Sequence, residues 1–409
     1  MYDEKFIMKV CVYLFYWEGN AMDKQQTQQR FRDIYGKNGE LLTFHAPGRV
    51  NLIGEHTDYN GGFVFPCALS FGTYGVVRKR EDNVLNFAST DMPLRISTSF
   101  NDMVYNKEHG WVNYLKGVVA EFQKLGLGEK LGGLDILISG NIPNGSGLSS
   151  SASIELLMSV ILNDCFDCGL PMVELVKLSQ RAENQFVGVN CGIMDQYSIG
   201  FGKKENAILL DCREITHQYV PLVLDGCKIV IANTNKKRGL TDSKYNERRS
   251  ECEQAVAALQ QRLAITCLRD VSAGEFEANR DLIRDDIVAK RAEHVVYEID
   301  RTLRAVNMLK ANNLVEFGKL MVQSHDSLRD LYEVTGEELD ALMEAANAVD
   351  GTLGSRMTGA GFGGCTVSIV RDEAVGRFIE QTGKQYARRT GLTADFYIAE
   401  SGDGAMRVE

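Results

Sequence analysis

The stretch NIPNGSGLSSSASIE, residues 141–155, decides how this chain is read. An apolar run, Leu134–Ser139, precedes it and reads as a strand; Ser153–Asn163 follows and reads as a buried helix. Gly140 and Gly145 match the first half of a phosphate-binding P-loop, but the lysine and hydroxyl residue that should follow are replaced by Ser146-Gly147. Glycines allow positive φ and close ligand approach, and consecutive N–H groups can form an anion nest. Ser149, Ser150 and Ser151 stand where the helix begins. Their hydroxyls are expected to cap it while its free N–H groups face an anion. An ordinary serine-capped turn is the competing reading, and the strand–Gly–Ser–helix order favours phosphate. The positive charge must then come from elsewhere in the chain.

At 409 residues the chain exceeds the usual single core, so two domains with a cleft between them are expected. Composition is that of a soluble globular protein: 44% hydrophobic, 24% charged, six prolines and no low-complexity tract. The net charge of −10 argues against a nucleic-acid or anionic-membrane surface, although a local site for a small anion remains compatible. The early apolar run 10–17 is too short to span a bilayer, and the start lacks a signal-peptide pattern. Residues 1–21 read as an N-terminal extension, with Met22 the expected natural start and a docking segment the alternative. Ten cysteines include a single CxxC, Cys165 and Cys168, at the end of an apolar helical run. Core packing is the better reading there than zinc, and Cys67, Cys191, Cys227 and Cys365 read as reduced core thiols. A reducing cytoplasm follows.

Strand character recurs at 50–53, 63–69, 75–78, 84–88 and 94–97, and helical spacing at 172–186. Strands return at 208–212 and 227–232. Helices then dominate at 245–261, 287–310, 315–332 and 337–346, before a strand–helix–strand ending at 365–399. The change of texture places the domain division near residue 210, giving domains 22–210 and 211–409.

Two more motifs stand out. Gly359, Gly361 and Gly364 match GxGxxG, but a dinucleotide fingerprint must open a helix, and this one runs into a strand. A mobile loop packed against a ligand or another backbone is the better reading. The other is APGRVNLIGEHTDYNGG, residues 46–62, where Glu55, His56, Asp58 and Asn60 crowd a glycine-bounded turn. Such a set suits recognition of sugar hydroxyls. One histidine is poor metal spacing, and a solvated turn is the plain alternative.

Together and in this order, the three motifs resemble those of the GHMP small-molecule kinases. GRVNLIGEHTDYNGG is similar to the galactokinase signature, GNIPNGSGLSSSASIE to the superfamily's ATP loop, and SRMTGAGFGGC to its third motif. The segments CGIMDQ (191–196) and SKYN (243–246) add to the likeness, which spans roughly residues 30–400. It implies a two-domain α+β fold: an N-terminal mixed-sheet domain like ribosomal protein S5 domain 2, a ferredoxin-like C-terminal domain with extra helices, and a site in the cleft. It implies transfer of the γ-phosphoryl of ATP to O1 of α-D-galactose, the first committed step of galactose breakdown. Carried over by motif, Asp195 is the base and Arg49 its electrostatic partner. Glu55, His56, Thr57, Asp58, Gly192 and Tyr245 take the sugar. Gly145, Ser146, Gly147, Leu148, Ser149, Ser150 and Ser151 take the ATP phosphates, and Ser151 and Glu183 hold Mg²⁺. No protein partner is implied.

The chemistry supports those roles. Phosphoryl transfer needs positioning, charge stabilisation and a group to orient the attacking hydroxyl. An arginine beside a carboxylate favours its ionised form and can also face the transferring group. A hydroxyl and a carboxylate beside phosphate oxygens suit Mg²⁺. Asp58 and Tyr245 are the candidates for reading the axial O4, since a buried polar site rejects an epimer that leaves it unpaired. The alternatives are a non-catalytic sensor of galactose and ATP, or a kinase for a related sugar such as N-acetylgalactosamine. Retention of Arg49, Ser151, Glu183 and Asp195 together argues for catalysis.

Overall fold

A computed structural model describes residues 24–143, 146–236 and 241–408. The extension at 1–21 and Gly145 lie outside the described residues. Helix α1 (Lys24–Tyr35) leads into β1 (Leu42–Asn51), β2 (Phe63–Val64), β3 (Pro66–Lys79), β4 (Val84–Ser89) and β5 (Ile96–Ser99). Then come α2 (Val112–Lys124), β6 (Leu134–Gly140), α3 (Ser150–Cys165), α4 (Met172–Arg181) and α5 (Met194–Gly200). Strands β7 (Asn206–Asp211), β8 (Thr216–Pro221) and β9 (Cys227–Asn233) precede α6 (Thr241–Leu259), α7 (Ala273–Asn279), α8 (Asp286–Lys310), α9 (Leu314–Ser327) and α10 (Glu337–Asn347). The final elements are β10 (Thr352–Thr358), β11 (Cys365–Arg371), α11 (Val375–Thr390), β12 (Asp395–Ala399) and β13 (Met406–Arg407).

Three sheets result, ordered β13-β1-β3-β6-β4-β5, β10-β11-β9-β12 and β2-β7-β8. The second is wholly antiparallel and follows the split βαβ order of a ferredoxin-like unit, with α6–α10 inserted after its first strand. Helix α3 is apolar nearly all round and is accordingly buried, packing on β1 and β3. Its Ser153 hydroxyl bonds Ala46 O and Thr73 Oγ1, both at 2.9 Å, which fixes the helix to those strands. One apolar cluster is shared between the halves, joining Val50, Leu52 and Phe65 to Ile229, Phe317 and Val367. The walls of the cleft are therefore rooted in a common core. No helix among the described residues is long and apolar enough to cross a membrane.

Beyond β12 the chain crosses back to the N-terminal sheet. Gly402 N donates to Ala68 O, Gly404 N to Gly202 O and Ala405 N to Ile199 O, each at 2.9 Å, before β13 pairs with β1.

Several elements differ from their expected form. Strand β3 runs unbroken through Gly72, where a Cβ would stand 2.1 Å from Ala46 O, so this glycine marks close strand approach rather than a turn. The helix expected over 172–186 ends at Arg181 and continues as a π-helical turn, Ala182–Val187. Helix α9 likewise passes into a π turn at Leu328–Tyr332. Each π turn shifts the side chains that follow it, and such turns recur at functional sites.

Candidate active site

Strand β1 carries the first site residue because it is irregular. Its register with β3 slips between Pro47 and Arg49, as a strand containing a residue without an N–H allows. The Arg49 N–H turns instead to Leu148 O at 3.2 Å, joining the strand to the serine-rich loop. In that loop Gly147 and Ser149 have φ of 78° and 63°, and α3 starts at Ser150. Alternation of left-handed residues with a helix start is the backbone form of an anion nest. The expected serine cap is not made: Ser149 caps nothing with its side chain, and its hydroxyl donates to Asp195 Oδ2 instead.

Asp195 lies in the first turn of α5 and receives a two-pronged bond from Arg49, Nε to Oδ1 at 2.7 Å and Nη2 to Oδ2 at 2.8 Å. Nη1 of Arg49 donates to Gly147 O at 2.7 Å. The guanidinium is thus held between a carboxylate and the loop backbone, the geometry in which arginine is most selective. Arg49 is 3% exposed, whereas Asp195 faces a cleft of about 190 Å³.

The turn after β1 forms the opposite wall. Glu55 accepts from Gly359 N at 2.5 Å and from Asn51 Nδ2, and Arg356 Nη1 lies 3.5 Å away. Burial outweighs these charges and raises its carboxyl to about 7. His56 is buried in the left-handed region, φ 64°, an unusual conformation for a non-glycine residue. Burial, then His294, lower its imidazole to about 3, so the ring is neutral. Asp58 is raised to about 6, by burial first and Asp195 second, while N–H groups of Tyr59 and Met194 hold it. Gly192 is where Asp58 packs: a Cβ there would lie 1.8 Å from Asp58 Oδ2. Tyr245, from α6, closes this wall with its ring 5.5 Å from that of His56. Gly359 reaches the cleft at φ 84°, where a Cβ would meet Gly147 O at 2.9 Å. The third motif thus packs against another backbone, as expected.

Glu183 stands in the first π turn, 6% exposed, bonded by Gln196 Nε2 at 2.6 Å, Cys191 Sγ at 3.4 Å and the Ser151 hydroxyl. None of these partners is a cation. Burial, then Asp195, raise its carboxyl to about 7. Gln196 also donates to the buried Glu155, whose Oε1 has no partner, nor has Gln196 Oε1. Among the described residues no three His, Cys, Asp or Glu converge as a self-contained metal site. Ser151 and Glu183 are hard oxygens on one side of the cleft, which fits a divalent ion completed by water and phosphate.

The cleft thus gathers Arg49, Glu55, His56, Asp58, Gly147, Ser149–Ser151, Glu183, Gly192, Asp195 and Tyr245. Thr57 is not brought in: it is fully buried, and its hydroxyl is 2.9 Å from Gly54 O and 2.7 Å from Phe63 O. Ser146 and Leu148 also lie beneath the lining, 1% and 0% exposed, with Ser146 Oγ accepting from Leu148 N at 3.4 Å. Among the lining residues Val189 had no signal that pointed to a ligand, while Cys191, Met194 and Ala360 fall within the CGIMDQ and SRMTGAGFGGC segments without a role of their own. Cys191, expected as a core thiol, is only partly buried and lines the cleft, as its place in CGIMDQ beside Gly192 and Asp195 could have signalled. Cys165 is a buried free thiol, as expected.

Comparison with known proteins agrees with this geometry. The galactokinase galactose-binding signature matches residues 29–79, the GHMP kinase N-terminal domain 113–203, and the GHMP kinase C-terminal domain 305–388. A galactokinase of Clostridium tetani is 53% identical over 96% of this chain and 99% of its own length. One of Bacillus subtilis is 51% identical over 94% and 99%. The crystal structure of Lactococcus lactis galactokinase complexed with galactose superposes with a TM-score of 0.91 at 46% identity, over 93% of this chain and 98% of that one. The chain belongs to the galactokinase family within the GHMP kinases and is an ATP-dependent sugar kinase.

Proposed function

We propose that the chain transfers the γ-phosphoryl group of ATP to O1 of α-D-galactose in this cleft, releasing galactose 1-phosphate and ADP. The observation that carries the reading is the two-pronged Arg49–Asp195 pair at the junction of serine loop and sugar wall. Asp195 orients the anomeric hydroxyl and accepts its proton. Arg49 holds Asp195 in place and offers the remaining guanidinium face to the phosphoryl group, preorganised so that nothing must rearrange as charge develops.

Glu55, His56, Asp58, Gly192 and Tyr245 receive the sugar. Asp58 and Tyr245 read the axial O4, whose absence in an epimer leaves a buried carboxylate unpaired. The loop through Gly147, Ser149 and Ser150 presents N–H groups to the phosphates. Ser151 and Glu183 would hold Mg²⁺, which supplies charge neutralisation on the phosphate oxygens when bound. On this reading residues 22–210 carry the reacting groups and 211–409 complete the wall. Buried thiols such as Cys67, Cys165 and Cys227 suit a reducing cytoplasm.

The test is ATP consumption by purified protein with galactose, N-acetylgalactosamine, glucose, mevalonate and homoserine. Galactose should be turned over with the highest kcat/KM. Binding of galactose and ATP without turnover would make the chain a sensor, and a better acceptor would move the assignment within the family.

A further inference from the structure

His56 is 5% exposed at the cleft; its Nε2 makes no hydrogen bond of ordinary length among the described residues, and the backbone of Ala360 is the polar group that interacts with the ring from the cleft side. Its other nitrogen is committed. Nδ1 lies 2.8 Å from the Tyr59 hydroxyl, which lies 2.8 Å from the Tyr332 hydroxyl, which lies 3.1 Å from Cys252 Sγ. This string of polar atoms runs through an otherwise apolar cluster and draws on three separate elements: the turn after β1, the π turn that ends α9, and α6. The π turn is itself clamped. Arg248 Nε donates to Tyr332 O at 2.8 Å and Arg291 Nη1 to Leu331 O at 2.5 Å. The Tyr332 ring lies 4.8 Å from that of His56 and 4.5 Å from that of His294, so its position is over-determined.

A neutral imidazole has one N–H and one lone pair. Whichever Nδ1 uses toward Tyr59, Nε2 must offer the other. We propose that Tyr59 and Tyr332 are positioning residues for sugar recognition: their hydroxyls, carried on through Cys252 to the amide side chain of Asn60, fix the tautomer of His56 and so decide which kind of hydrogen bond Nε2 offers to a sugar hydroxyl. The inference rests on the reading of His56 as a sugar contact. Buried chains of this kind are cooperative, and breaking one link frees the ring to sample the wrong tautomer. Replacement of either tyrosine by phenylalanine keeps the ring and removes only the link.

The test measures KM and kcat for sugar and for ATP in Tyr59→Phe, Tyr332→Phe and His56→Gln, using galactose and its 2-, 3-, 4- and 6-deoxy analogues. Both phenylalanine variants should raise the galactose KM about three- to tenfold, the worth of one hydrogen bond, with ATP KM and kcat little changed. They should also lose discrimination against the same deoxy sugar that His56→Gln ceases to distinguish. If His56→Gln raises the galactose KM while both phenylalanine variants behave as wild type, the relay is wrong and the sugar contact stands. If His56→Gln itself leaves that KM unchanged, both ideas fall. A uniform loss across kcat and both KM values, with a lower Tm, would make the tyrosines merely structural and overturn the proposal.

Discussion

Gly192→Ala tests the sugar wall with a single added methyl group. That carbon would lie 1.8 Å from Asp58 Oδ2, 2.2 Å from its Cγ and 2.7 Å from Oδ1. Ordinary contact begins at 3.4 Å, so the carboxylate must retreat by about 1.6 Å. It is held by the N–H groups of Tyr59 and Met194, and the movement breaks at least one of those bonds. A hydrogen bond to a charged group is worth about 1.5–3 kcal/mol, or roughly 10- to 100-fold in affinity. The galactose KM should rise by that factor with the ATP KM unchanged, measured by a coupled ADP assay under saturating partner substrate. The control is Asp58→Ala alone and combined with Gly192→Ala. If the methyl group acts through Asp58, the double variant is no worse than Asp58→Ala. Additive losses, or a normal galactose KM in Gly192→Ala, would refute the steric account.

Asp195→Asn should lower kcat by about 10²- to 10⁴-fold with ATP still bound, checked by single turnover and nucleotide titration. Arg49→Lys exchanges a fork for a point charge, and a kcat loss of about tenfold or more with small change in galactose KM is expected. Glu183→Gln should raise the Mg²⁺ concentration for half-maximal rate, and calorimetry of metal–nucleotide binding should show the same shift. Glu55 and Asp58 are raised by burial to about 7 and about 6 and accept from hydroxyls more strongly, with both oxygens, when ionised, so kcat/KM for galactose should climb between pH 6 and 7. The stability effect has the opposite sign. With folded-state values above unfolded ones, their contribution is full below the ordinary carboxylate range and is lost as pH rises through 7. The Tm of the ligand-free protein should fall over the window in which sugar affinity rises, and Glu55→Gln should flatten that fall.

Local chemistry was legible; distant pairing was not. The serine loop and the Glu55–Asp58 turn could be read because the residues that build each wall are contiguous and their glycines report unusual backbone. Arg49 and Asp195 are 146 positions apart, and only the family resemblance joined them. A serine at a helix start usually caps it, and nothing local reveals the carboxylate from α5 that takes the Ser149 hydroxyl instead. The role of Glu183 came from the resemblance alone, since a π turn, unlike a regular helix, leaves no periodic trace that its side chain turns inward. Helix α2 was missed because Gly117 interrupts its pattern, yet that glycine is what lets Ala182 and Phe186 approach, to within 3.2 Å of where its Cβ would be. Helix α5, at seven residues, is too short for periodicity to register.

The strand that carries Arg49 and the helix that carries Asp195 are both laced by residues 400–408, through Met406 on β1 and Ala405 on Ile199. Ribosomes deliver those residues after the elements they lace. The nascent N-terminal half can collapse early, as domains do during synthesis, but its reactive pair lacks its final bracing until the tail emerges. A polypeptide stalled or clipped just before residue 400 therefore keeps every reacting side chain and loses the lacing that braces the two elements carrying Arg49 and Asp195.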